Sequence, residues 1–154
     1  MKTSIYLKAA GVSVMLATVP LLATAAPQVI ELTQIPCQFL ESENGVNHGY
    51  TSTSTDDCKK INKESGEQRL SESKSITLKP GKYIFRVTNK DVPYNLGFWL
   101  RGKGPIGFAT LPSVSGGGLK PGTTRDYAIE LKAGEYLYSC PLNPTPDYTL
   151  VVAK

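Results

Sequence analysis

The chain has 154 residues, with 17 Lys and Arg against 13 Asp and Glu, one His, three Cys, 14 Gly and 11 Pro. A hydrophobic fraction of 40% and a charged fraction of 19% are those of a folded protein, and the length suits one domain with a core rather than two. The single His excludes a two-His catalytic or metal site within one chain, and no basic stripe interleaved with aromatics is present to bind nucleic acid.

Residues 1–26 read as an export signal. Lys2 and Lys8 make a positive start, Ala9 to Leu22 is apolar, and Ala23-Thr24-Ala25 supplies small residues before a cleavage point. Lys2 and Lys8 are two of the 17 basic residues, so their removal takes the formal net charge from +4 to +2. Both methionines, Met1 and Met15, leave with the signal. Residues 27–154 hold no second apolar run long enough to span a bilayer, which predicts a soluble domain in the periplasm or secreted, with no membrane contact after cleavage.

Beyond Ala26, Gln28 to Thr33 alternates like a strand. Cys37 and Cys58 then bracket a polar, turn-rich stretch, the core of an insertion over about 38–75. In an oxidising compartment an odd cysteine count leaves one thiol unpaired or one intermolecular bridge. A Cys37–Cys58 disulfide would close a loop of about 20 residues and stabilise the fold by about 3 kcal/mol in the chain-entropy picture, leaving Cys140 free. Spacing alone leaves pairings through Cys140 open. Asn44 to Thr55 reads as loop, and Asp56 to Leu70 as one short helix capped by Thr55 or Asp56 and weakened at Gly66.

From Ser75 onward the pattern is β. Tyr83, Phe85 and Val87 alternate with Ile84, Arg86 and Thr88, and similar runs cover Leu96 to Leu100, Arg125 to Leu131, Glu135 to Cys140 and Tyr148 to Ala153. Leu78-Lys79-Pro80-Gly81, Leu119-Lys120-Pro121-Gly122 and Leu131-Lys132-Ala133-Gly134 are near-copies of one turn and predict hairpins. Alternation puts Phe98 on one face and Trp99 on the other, which reads as sandwich core plus a covering surface residue. The stretch Leu111 to Gly118 reads as a long mobile loop at one end of the sandwich, where partner contacts tend to lie. The sum is an all-β sandwich with one short helix in an insertion near the N-terminus.

Motifs for catalysis are missing. Gly102-Lys103-Gly104-Pro105-Ile106-Gly107 matches G-x-G-x-x-G but reads as a loop, without the helix that a dinucleotide site requires. His48 lies in a polar loop, and Glu41, Glu43, Asp56 and Asp57 read as solvated loop or cap charges. No nucleophile–base pair emerges, so the chain is not expected to be an enzyme.

Asn89 to Phe98, containing Pro93-Tyr94-Asn95, together with Gly134-Glu135-Tyr136-Leu137-Tyr138-Ser139-Cys140, resembles the cupredoxin family. The resemblance runs from about Ile76 to Lys154 and implies a Greek-key β-sandwich. In that family a His precedes the Asn, a late strand ends in the Cys, and a second His and a Met follow. Here the first His position falls on Tyr94, the thiolate is kept as Cys140, the second His position is Asn143, and the Met position lies near Tyr148. Such copper centres need a soft thiolate and two imidazoles, so the resemblance implies that the standard site is gone. Two expectations follow for Cys140. It is a buried, inert thiol beside Tyr136 and Tyr138 in an exported, non-enzymatic binding or accessory protein, without cofactor, that docks an unknown periplasmic protein through its end loops. Alternatively, Cys140, Tyr94, Tyr148 and His48 form a remodelled site that handles copper for delivery or electron transfer.

Overall fold

A computed structural model describes residues 26–154, so all but the last residue of the expected export signal lies outside the described residues. The elements run β1 (Gln28–Ile35), β2 (Gln38–Phe39), a 3-10 turn (Glu41–Glu43), α1 (Thr55–Glu72), β3 (Ile76–Leu78), β4 (Gly81–Asn89), β5 (Leu96–Gly102), α2 (Gly104–Thr110), β6 (Val114–Leu119), β7 (Thr124–Leu131), β8 (Gly134–Ser139) and β9 (Tyr148–Val152). They build one sheet of order β2-β1-β4-β7 and another of order β3-β9-β8-β5-β6. β1 runs parallel to β4 and β3 parallel to β9, while the other pairings are antiparallel. The expected all-β sandwich is therefore present. No helix among the described residues is long and apolar enough to cross a membrane.

The core lies between the sheets. Tyr83, Phe85 and Val87 of β4 point inward as their alternation dictates, and Phe98 of β5 stacks on Phe85 with centroids 5.5 Å apart. Phe39, Tyr138 and Tyr148 complete the aromatic centre through edge and tilted contacts of 5.5–5.9 Å. Trp99 faces away from the core, with the Arg101 guanidinium 4.0 Å above its ring.

The three Lys-Pro-Gly-like turns are not hairpins. Each one carries the chain from one sheet to the other: β3 to β4, β6 to β7 and β7 to β8. Two of them share a device that their sequences display. Tyr83 donates its hydroxyl hydrogen bond to the Lys79 carbonyl, and Tyr136 does the same to Lys132, both at 2.8 Å. Each Tyr thus satisfies a corner carbonyl that no neighbouring strand reaches.

Three other expectations change. α1 is 18 residues long, begins one turn position earlier than expected and is capped by Ser54, whose N–H the Asp57 carboxylate accepts at 3.0 Å. The helix runs on past Gly66, a buried glycine where an added Cβ would sit 3.4 Å from the Asn62 Cβ and 4.0 Å from the Pro146 ring. The G-x-G-x-x-G segment is not simply a loop: α2 opens within it. Its glycines serve packing, since a Cβ on Gly102 would stand 2.1 Å from the Gly107 carbonyl oxygen. Leu111 to Gly118 is not a mobile loop either. Its second half is β6, hydrogen-bonded along β5, and Tyr127 donates to the Gly116 carbonyl at 3.2 Å. Glycine permits this pairing, because a Cβ on Gly97 would stand 2.7 Å from the Gly116 oxygen.

Candidate functional site

Cys140 immediately follows β8 and shares the inward face of Tyr136 and Tyr138, as parity predicts. Its sulfur accepts the N–H of Asn143 at 3.2 Å and of Gly97 at 3.4 Å. Burial pushes the thiol upward, against the lowering effect of these N–H groups, so the sulfur keeps its proton near neutral pH. It is the free cysteine of the chain, and it is buried.

Cys37 and Cys58 form the expected disulfide. Cys37 occupies the left-handed position, φ 66°, of the Pro36-Cys37 turn between β1 and β2. Asn143 ties this turn to the loop after Cys140. Its Oδ1 accepts the Cys37 N–H at 2.8 Å, and its Nδ2 donates to the Ile35 carbonyl at 3.0 Å. The same Oδ1 lies 3.2 Å from Cys58 Sγ. Tyr94 closes the other side of that sulfur, with its hydroxyl 4.0 Å away and hydrogen-bonded to Ser52 Oγ at 2.7 Å. Burial raises the Tyr94 phenol as well.

Tyr148 and His48 meet elsewhere, on Glu43. Tyr148 donates to Glu43 Oε1, and His48 Nε2 lies 2.7 Å from Oε2. Arg69 completes the cluster with Nη2 at 2.7 Å from Oε1 and Nε at 3.1 Å from Oε2, while donating to the Asn62 side chain and the Cys37 carbonyl. Burial, reinforced by the adjacent Glu43 charge, pushes the Tyr148 phenol far above its ordinary value. Glu43 is thus no solvated loop charge: only 5% of it is exposed. His48 is likewise paired rather than free in its loop. Glu41 also has a structural partner, accepting the Thr33 N–H at 2.7 Å. Sequence reasoning missed Glu43 and Arg69 as partners, because nothing in their local pattern distinguishes a buried charge from a surface one.

The four residues of the remodelled-site expectation are therefore divided. Cys140 and Tyr94 lie on the Asn143–disulfide side, whereas Tyr148 and His48 lie on the Glu43 side, with Arg69 touching both through the Cys37 carbonyl.

The described domain superposes on auracyanin B with a TM-score of 0.50, at 14% identity over 86% of this chain and 94% of that one. The fold is cupredoxin-like. A multicopper oxidase from Pediococcus acidilactici also aligns, at a TM-score of 0.38 and 10% identity, over 90% of this chain and 29% of that one. No protein-family profile and no curated protein matches the sequence.

Copper is the ion that a cupredoxin-like fold implies, and the residues here do not fit it. Tyr94 is engaged by Ser52, the Asn143 amide is spent on backbone groups, and Tyr148 is bound to Glu43. No imidazole reaches Cys140: the one His of the chain is 2.7 Å from Glu43 on the other side of Arg69. Among the described residues, no three His, Cys, Asp or Glu are grouped to hold a metal ion.

Beside this sealed thiol the surface is open. A shallow groove of about 330 Å³ runs along Gly97, Trp99, Gly116, Gly117, Pro141 and Leu142, with Leu142 43% exposed.

Proposed function

We propose that this cupredoxin-like domain is an exported, non-enzymatic binding or accessory protein that docks a periplasmic protein partner at the Cys140 end of the sandwich. The observation that carries this reading is the apolar groove between the β5–β6 edge and Pro141-Leu142. Burying its apolar walls would favour association by about 25 cal/mol per Å² removed from water. The groove is also held in shape: β6 is bound to β5, and Asn143 anchors the loop that carries Leu142. A preformed surface spares the ordering cost of association. The one free thiol at this end is buried, and burial raises it, which supports a binding role over a nucleophilic one.

Photocrosslinking in intact cells tests this reading, with the reactive group placed at Leu142 or at Glu130 on the opposite sheet. The reading expects one discrete adduct from position 142, none from position 130, and release of the protein with the periplasmic fraction. Equal labelling at both positions, or retention in the cytoplasm, would overturn it.

A further inference from the structure

The two most exposed large apolar side chains among the described residues sit together on α2. Ile106 is 80% exposed and Phe108 62%. None of the residues Gly104–Thr110 is buried, and none is charged. The helix is nonetheless fixed in place. Its Gly107 backbone lies against Gly102, and the Leu111 N–H donates to the Gly107 carbonyl at 2.9 Å. At its start the Lys103 N–H donates to the Glu135 carbonyl at 2.8 Å. The Phe108 ring meets Trp99 edge-on, with centroids 6.4 Å apart. An apolar pair held out in water on a rigid, uncharged helix marks a contact surface.

The strand directions place charge beside this pair. At the end of the sandwich that carries α2, β3, β5, β7 and β9 finish while β4 and β8 begin. That end therefore holds Lys79, Lys82, Lys103, Lys132 and Lys154, all exposed, against the acids Glu130 and Glu135. Glu135 pairs with Lys103 at 2.8 Å, and Glu130 lies opposite Lys82 across β4 and β7. Lys79, Lys132 and Lys154 have no carboxylate partner among the described residues. Five lysines against two glutamates exceed the net +2 of residues 27–154, so the positive charge of the domain is gathered here. The chain also enters the fold at this end, where Gln28 lies opposite Tyr83. An export signal engaged in a membrane would hold this end against it.

Exposed apolar side chains beside unpaired lysines fit an anionic lipid surface, whose acyl boundary takes the first and whose phosphates take the second. We propose that the α2 end of this domain lies reversibly on an anionic phospholipid bilayer, with Ile106 and Phe108 inserted and Lys79, Lys132 and Lys154 among the headgroups. This surface lies at the opposite end from the Cys140 groove and does not depend on docking there. Attachment through α2 turns that groove away from the bilayer. The expectation of no membrane contact rested on the lack of a second spanning run, and lying on a surface needs none.

Residues 27–154 contain all nine strands and both helices, so this form is tested, without the apolar stretch that would itself enter lipid. It is sedimented with vesicles of phosphatidylcholine alone and of phosphatidylcholine mixed equally with phosphatidylglycerol. The parent is expected to sediment with the anionic vesicles and to stay in solution with the neutral ones. The Ile106→Ser/Phe108→Ser variant should bind the anionic vesicles at least about tenfold more weakly, for the lost apolar insertion. The Lys79→Gln/Lys132→Gln variant should bind about twentyfold more weakly, since each lysine near such a surface contributes about fivefold. It leaves α2 intact, so it tests the surface even where the apolar changes disturb the helix. Val46→Ser, which alters an exposed apolar residue near the other end, should bind like the parent. No binding to the anionic vesicles, equal binding to the neutral ones, or parent-like binding by either double variant would overturn the proposal. So would a dimer in solution that Ile106→Ser/Phe108→Ser dissociates, because a second copy would then cover the patch.

Discussion

Replacing Glu43 by Ala should be among the most damaging single substitutions outside the aromatic core. Its carboxylate receives Arg69 through two nitrogens, the Tyr148 hydroxyl and His48, in a site almost without exposure. Removing it leaves the Arg69 guanidinium buried with only the Asn62 side chain and the Cys37 carbonyl as acceptors. Breaking one partner of a buried pair costs about 3–5 kcal/mol, because the remaining charge stays desolvated. For a domain of this size each kcal/mol moves the melting point by about 4 °C, so a fall of about 12–20 °C is expected. Urea unfolding followed by tryptophan fluorescence measures the loss. The Glu43→Leu/Arg69→Met double variant should lose clearly less than the two single losses combined, because neither charge is then stranded. A loss below about 1 kcal/mol in Glu43→Ala, or strictly additive losses, would refute the reasoning, since surface pairs behave that way.

Three further outcomes are expected. Replacing both Cys37 and Cys58 by Ser should cost about 3 kcal/mol, and it should make Cys140 react with a thiol reagent in the native protein, where the parent reacts only on unfolding. In alkali, burial raises the phenols of Tyr94, Tyr127, Tyr136, Tyr138 and Tyr148, that of Tyr138 to about 12. The folded state then holds protons that the unfolded chain releases near the ordinary tyrosine value of about 10. Stability is therefore full below that pH and falls as pH rises above it. Phenolate absorbance should appear together with loss of near-ultraviolet circular dichroism, and ionisation of these phenols in the intact fold would contradict the burial argument. Gly97→Ala forces a methyl to 2.7 Å from a backbone oxygen and should cost about 1–3 kcal/mol by thermal melting, with β6 freed to exchange its amides faster.

What the sequence revealed and what it concealed follow from the range of the forces involved. The β4 alternation, the opposite facing of Phe98 and Trp99 and the shared face of Tyr136, Tyr138 and Cys140 depend on period and parity, which are local, while the Cys37–Cys58 bridge was legible from the polar stretch that it closes. The length of α1 depends on contacts outside it: Gly66 lowers intrinsic propensity, yet Pro146 and the Arg69–Glu43 pair hold the helix in place. β6 is a strand because β5 lies beside it and Gly97 admits its backbone, facts that no window around Val114–Leu119 contains. The lysine turns look like hairpins because local chemistry specifies a reversal but not which sheet receives the next strand. Glu43 was illegible for the same reason, since its partners are separated from it in sequence by 26 residues to Arg69 and 105 to Tyr148.

Cys140 is buried, with its sulfur held by the Asn143 and Gly97 N–H groups, rather than poised as a ligand. A titration of the bridged domain with Cu(II) and Cu(I), followed by visible absorption and electron paramagnetic resonance with Cys140→Ser as control, tests that arrangement most directly. No intense thiolate-to-copper band is expected, and Cys140 should react with a thiol reagent only when the protein unfolds. An intense band that vanishes in Cys140→Ser would contradict it.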